Sequence, residues 1–122
     1  GLNKFYHTTI LVSENTKNGA GDDFEFRLLD LLRVKGKETP SQVFELMGVK
    51  GEVDPERLRK RDEFEAAMKL YQESKFTEAK EIFSRLHKEG DETSELFEYR
   101  CDDFIKEPPP PDWNGVWVMK SK

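Results

Sequence analysis

Two lysines bracket a glycine at Val34-Lys35-Gly36-Lys37. An ammonium carried on a turn is a point charge suited to phosphate oxygens. By themselves, however, the residues read as lysines that solvate a hairpin turn. Other candidates for chemistry are sparse. Cys101 is the one cysteine, so no intramolecular disulfide can form. It lies at helical spacing with Phe97 and Phe104, which predicts a small buried hydrophobe. His7 and His87 stand alone in their segments and complete no zinc set. Asp30 and Glu45 are carboxylates in apolar surroundings, but nothing in their spacing marks an acid–base pair. The tightest basic cluster, Arg57, Arg59, Lys60 and Arg61, alternates with Glu56, Asp62 and Glu63. That pattern predicts a solvated helix face, and no nucleic-acid partner is expected.

The elements that would position these groups change character near residue 50. Before it the apolar pattern is strand-like. Thr8-Thr9-Ile10-Leu11-Val12 predicts a largely buried strand that stops at Ser13-Glu14-Asn15, and residues 18–23 have loop composition. Phe24, Phe26 and Leu28 alternate with Glu25 and Arg27, and the phase then slips around Leu29 and Asp30, which predicts a bulge. Lys35 to Pro40 form a turn, and Gln42-Val43-Phe44-Glu45-Leu46 returns as the second strand of an antiparallel hairpin.

After the linker Lys50–Val53 the pattern is helical. Asp54-Pro55-Glu56 combines an N-cap acid, a first-turn proline and a first-turn acid. Phe64, Ala67, Met68 and Tyr71 then share one helix face. Phe76, Ala79, Phe83 and Leu86 share the face of a second helix, which Gly90 ends. Asp91 caps a third, with Leu96, Phe97, Cys101, Phe104 and Ile105 as its apolar residues, closed by Pro108–Pro111. The proline run either presents a polyproline II ligand to a groove on another protein or is a rigid spacer. The spacer is the expectation, folding Trp113 and Trp117 back onto the helices, because two indoles are a large apolar payload to leave in water.

Hydrophobic residues make up 35% of the chain and charged residues 37%, enough for a packed interior under a dense charged surface. The apolar runs fall well short of the roughly 20 residues a membrane span needs, so no membrane contact is expected of these 122 residues. No signal peptide is read at the start of the chain, and a cytoplasmic location is expected.

Gly1-Leu-Asn-Lys-Phe-Tyr-His-Thr-Thr-Ile-Leu-Val-Ser-Glu-Asn-Thr16 resembles the end of the helix before the sixth strand in bacterial class III adenylate/guanylate cyclases. Phe26-Arg-Leu-Leu-Asp-Leu-Leu-Arg-Val-Lys-Gly-Lys37, with Pro40 and Val43-Phe-Glu-Leu46, resembles that domain's closing hairpin. The Val34–Lys37 turn is the sharpest part of the likeness, which covers roughly residues 1–48. The second half is similar to tetratricopeptide-like regions that come after the catalytic domain in some cyclases. Ala67, Leu70, Tyr71, Phe76, Ala79 and Phe83 fit one such repeat, with the early aromatic displaced to Phe64, whereas a stable solenoid needs about three repeats. Pro108 to Trp117 is similar to the ending of that subgroup.

The resemblance implies an α+β chain. A small antiparallel sheet, the remnant of a cyclase catalytic domain, would occupy residues 1–50. A three-helix tetratricopeptide-like module with a Pro/Trp tail would occupy residues 51–122. It implies a homodimeric parent enzyme that converts ATP or GTP to the cyclic nucleotide and pyrophosphate, using two Mg²⁺ or Mn²⁺ ions. The metal aspartates and the transition-state Asn and Arg would all precede Gly1, leaving no catalytic residue and no metal ligand here. The implied residue left in this chain is Lys35 as a triphosphate contact, with Lys37 a weaker candidate. The alternative expectation is a regulatory helical module that binds a protein partner and has no catalytic role.

Overall fold

The computed structural model describes Tyr6 and residues 10–119. The fold is α+β, with one four-stranded sheet and four helices among the described residues. The chain forms two compact units, one running to Arg59 together with the segment from Val116, the other Lys60–Gly115. No helix among the described residues is long and apolar enough to cross a membrane.

In the first unit, strand β1 (Leu11–Ser13) leads into a short helix α1 (Glu14–Gly19), and then come β2 (Phe24–Val34) and β3 (Ser41–Val49). The antiparallel β2–β3 hairpin is present, and its register shifts between Leu28 and Asp30, at the predicted phase slip, and again between Glu25 and Phe26. Cross-strand partners share a face of the sheet. Phe26 opposite Leu46 and Leu28 opposite Phe44 therefore line one side, and Arg27 opposite Glu45 and Asp30 opposite Val43 the other. The Lys17 ammonium lies 5.1 Å from the Phe44 ring centroid and 5.8 Å from that of Phe26, which places α1 over the first face.

Three expectations for this unit need correction. Ser13 does not stop the chain. Its hydroxyl accepts a hydrogen bond from the Thr16 amide at 3.2 Å and caps α1, where Ser13-Glu14-Asn15 predicts a stop and residues 18–23 a loop. A serine N-cap is a helix start, and the Asn and Gly beyond it mask so short a helix. The first strand is an edge strand and not largely buried, with Ile10 46% exposed; Thr8 and Thr9 lie outside the described residues. Finally, the sheet is mixed, not antiparallel. A fourth strand, β4 (Trp117–Met119), pairs in parallel with β2, giving the order β1-β3-β2-β4. Parallel neighbours require a long crossover, and the chain from β3 through the helices supplies it. Trp117, expected to fold back onto the helices, is paired opposite Leu32 in the sheet.

Helix α2 (Pro55–Gln72) starts as its cap predicts, with the Asp54 carboxylate accepting from the Glu56 amide at 2.7 Å. It runs into the second unit, which continues with α3 (Phe76–Lys88) and α4 (Glu92–Lys106). Phe64, Ala67, Met68 and Tyr71 from α2 are buried, as are Phe76, Ala79, Phe83 and Leu86 from α3, and Phe97 and Cys101 from α4. Rings meet edge-on or offset-stacked, arrangements that add roughly 0.5–1.5 kcal/mol per pair beyond area burial. Phe83 stacks on Phe97 at 5.2 Å, Phe64 meets both edge-on, and Tyr71 meets Phe97 at 5.6 Å. Trp113 folds back as expected, with its centroid 5.0 Å from Phe104 and 5.4 Å from Tyr71. Ile105, expected on the apolar face, is 46% exposed.

The two interhelical turns share one geometry. After α3, the Asp91 amide donates to the Leu86 carbonyl and the Gly90 amide to His87, with Gly90 at φ 104°. After α2, the Lys75 amide donates to Leu70 and the Ser74 amide to Tyr71, with Ser74 at φ 65°. These are the paired bonds of a Schellman C-cap, whose left-handed position favours glycine. Serine there carries a steric cost that glycine avoids, partly offset by glycine's greater freedom in the unfolded chain. Ser74→Gly should stabilise the helical unit by about 0.5–1 kcal/mol, and Gly90→Ser should destabilise it by a similar amount. Urea titration monitored by helical ellipticity checks both signs; a loss on Ser74→Gly would show that the hydroxyl contributes more than the strain costs.

Candidate functional site

The hairpin tip gathers the cations. Strand β2 carries Arg33 to its end, and the chain turns through Lys35, Gly36 and Lys37, with Gly36 at φ 93°. The Lys37 amide donates to the Val34 carbonyl at 3.0 Å and closes the turn. The Arg33 guanidinium donates to the Lys37 carbonyl, also at 3.0 Å, which holds Arg33 along the turn. On the opposite edge, the Lys35 amide donates to the Met119 carbonyl at 3.0 Å. Lys35 and Lys37 are both exposed. Among the described residues, no side-chain hydrogen bond or carboxylate engages the Lys35 ammonium. The turn thus presents fixed backbone and mobile positive charge, which suits an anion of several oxygens better than a single buried ligand.

Neither carboxylate raised from the sequence is open to a substrate. Asp30 is fully buried. Its Oδ2 accepts from the Tyr6 hydroxyl at 2.7 Å and its Oδ1 from the Leu31 amide at 2.9 Å, which ties the bulge together. A buried carboxylate needs such partners to offset the loss of water. Glu45 accepts from the Arg27 guanidinium at 3.0 Å, and both side chains are largely buried. These groups serve the sheet.

The helical unit holds a polar network that single-residue inspection missed. His87 Nδ1 lies 2.6 Å from Glu98 Oε1, the Ser84 hydroxyl donates to Glu98 Oε2 at 2.6 Å, and His87 Nε2 is 3.4 Å from Glu95. Ser84 with His87 and Glu95 with Glu98 are each three apart on facing helices, and that spacing was the available signal. The serine bonds the carboxylate and not the imidazole, so its hydroxyl lacks the base a nucleophile requires. Among the described residues, no group of three or more His, Cys, Asp or Glu could hold a metal ion. His7 lies outside the described residues. Two of the four cations of the basic run on α2 pair with neighbouring carboxylates, Arg59 with Glu56 at 2.7 Å and Arg61 with Asp62 at 2.7 Å, and Lys60 donates to the Glu89 carbonyl. Beside the prolines, Phe76, Phe104 and Trp113 form one wall of a groove of about 740 Å³.

Cys101 is wholly buried, as its spacing predicts. Burial pushes its thiol from the ordinary 9.0 up to about 12, with the neighbouring Asp102 carboxylate acting in the same direction. Asp102 also holds Lys80, at 2.6 Å, and this hydrogen bond raises the lysine's pKa.

Comparison with protein-family models, curated proteins and solved structures finds no match to this chain.

Because the folded thiol holds its proton above the unfolded value, its contribution to stability is complete below pH 9.0 and is lost as pH rises toward about 12. Cys101→Ala should therefore flatten the alkaline side of the unit's stability profile while costing some stability at neutral pH through the cavity it leaves. The thiolate is the reactive form, so iodoacetamide at pH 8 should label Cys101 only as fast as the unit opens. Rapid labelling of the folded chain would show the thiol to be accessible.

Proposed function

We propose that this chain is the C-terminal part of a class III nucleotidyl cyclase. The parent would form cyclic AMP, or cyclic GMP, and pyrophosphate from the triphosphate, and Lys35 would contact the phosphates. The observation that carries this reading is the hairpin tip, where the exposed Lys35 ammonium lies between Arg33 and Lys37 on a turn closed by its own backbone bonds. The order of elements supports it as well. An edge strand and a bulged antiparallel hairpin lie within the two stretches that carry the resemblance.

In that reaction the ribose 3′ oxygen attacks the α-phosphorus, the bond to the β-phosphate's bridging oxygen breaks, and pyrophosphate leaves with the electron pair. The 3′ proton and the metal ions would be handled by residues upstream. No step is assigned to a metal in this chain, because the described residues contain no ligand set that fits one. What these residues supply is charge. Lys35 would neutralise the phosphates of the bound triphosphate and, as pyrophosphate departs, the charge that develops on it, with Arg33 and Lys37 adding positive potential around it.

The 122-residue chain alone should form no cyclic nucleotide from ATP or GTP with Mn²⁺. In the full-length protein, Lys35→Ala should lower kcat/KM for the triphosphate about 10- to 100-fold, the size of one lost charge-assisted hydrogen bond. Lys35→Arg should recover part of that loss. The melting temperature should hardly move, since the side chain is exposed. Unchanged kinetics in Lys35→Ala with a lowered melting temperature would make the lysine structural and remove the basis of the proposal.

A further inference from the structure

The ordering of the hairpin tip comes from an unexpected side. Pairing between β2 and β3 ends at Leu32 opposite Ser41. The last two residues of β2 have no strand partner on that edge. Their partners are in the C-terminal tail, Val118 opposite Arg33 and Met119 opposite Val34. The next backbone donor, the Lys35 amide, goes to the Met119 carbonyl at 3.0 Å. Chain order makes the arrangement stranger: the residues that hold the turn come after the whole helical unit.

We propose that β4 is a positioning strand for Lys35, so that the phosphate contact depends on the C-terminal tail being docked along β2. This rests on the reading of Lys35 given above. With β4 in place, Arg33, Val34 and the Lys35 backbone are fixed, and only the lysine side chain remains to be ordered when an anion arrives. With β4 detached, the chain from Arg33 to Pro40 is a longer loop held by its internal bonds, and the anion must order backbone as well. Preorganisation of this kind shows as weaker nucleotide use, not as loss of the fold. The strand is well suited to docking and undocking. It is three residues long, parallel, at the sheet edge, and Val118 is 40% exposed. A strand of that size is held by only a few hydrogen bonds.

Two variants remove the strand by different means: Met119→Pro, and a chain that stops after Val116. In an extended strand a residue's N–H and C=O point to the same edge, so the Met119 amide faces β2 beside its carbonyl, and proline deletes that donor. Amide exchange on the 122-residue chain is the first measurement. Both variants should strip protection from the Lys35 amide while the Leu46 amide, bonded to Ile10, and the Lys50 amide, bonded to Asp23, stay protected. Unchanged protection at Lys35 would overturn the proposal.

Kinetics with ATP in the full-length protein are the second measurement. Each variant should raise KM about 10-fold in the Lys35 background and cause no further change in Lys35→Ala, the signature of two changes acting on one contact. Equal losses in both backgrounds would mean that the tail acts through general stability, and the proposal would fall while the cyclase reading stood. If Lys35→Ala itself left kcat/KM intact, the cyclase reading of Lys35 would fail first and take the positioning role with it.

Discussion

Strand β2 has two edges, and the need to pair the backbone groups on both governs the first unit. An eleven-residue strand leaves many N–H and C=O groups that cannot stay buried without partners. Strand β3 takes one edge as far as Leu32, and the tail takes the other edge from Leu32 to Val34, beside Lys35. The bulge at Leu28–Asp30 shifts the register with β3, and the Asp30 carboxylate accepts from the Leu31 amide beside it. Tyr6 completes the arrangement by donating to the same carboxylate from a remote position in the chain. The buried Asp30 carboxyl group and the bulge both belong to this one strand.

The helical unit obeys a different logic, in which side chains and not backbone pairing set the arrangement. Three helices joined by tight turns offer few contacts, so large rings do most of the filling. Phe64, Phe83 and Phe97 form one cluster, and Tyr71 links it to Phe76, Phe104 and Trp113. Edge-on contacts let each ring touch several others without leaving voids. Ion pairs at the rim, Arg85 with Glu63 and Lys80 with Asp102, join different helices but are half exposed and add little.

The hairpin, its bulge, the cap at Asp54 and the three helical faces were all legible in the sequence, because each rests on periodicity or on chemistry local to a few residues. The return of Trp113 was legible from the cost of leaving an indole in water. Helix α1 was not, since Glu14–Gly19 is a single capped turn and a half with no apolar face to display. Strand β4 was not either. Three residues have no period, and their partner lies more than eighty positions earlier in the chain. Of the hairpin tip, the lysines could be read but not what holds them, because the Met119 carbonyl is a backbone group and carries no residue signature. The polar network around His87 exists only once α3 and α4 are side by side.

The helical unit is spliced between two segments of the sheet unit, so its ends are tethered twice: residues 50–59 come directly after β3, and Val116 leads into β4. Such a double tether makes the unit a folded spacer that determines how far apart the two ends of its chain lie. Folding of the unit leaves fewer free residues between β3 and β4 than a coil would, which raises the effective concentration of β4 at its partner strand. Were it to unravel, the same three residues would hang on a coil of more than fifty residues and that concentration would fall, roughly as the −3/2 power of loop length. Linkage requires the reverse as well: whatever free energy β4 gains by docking is added to the stability of the helices. Two units with separate cores thereby share one cooperative term.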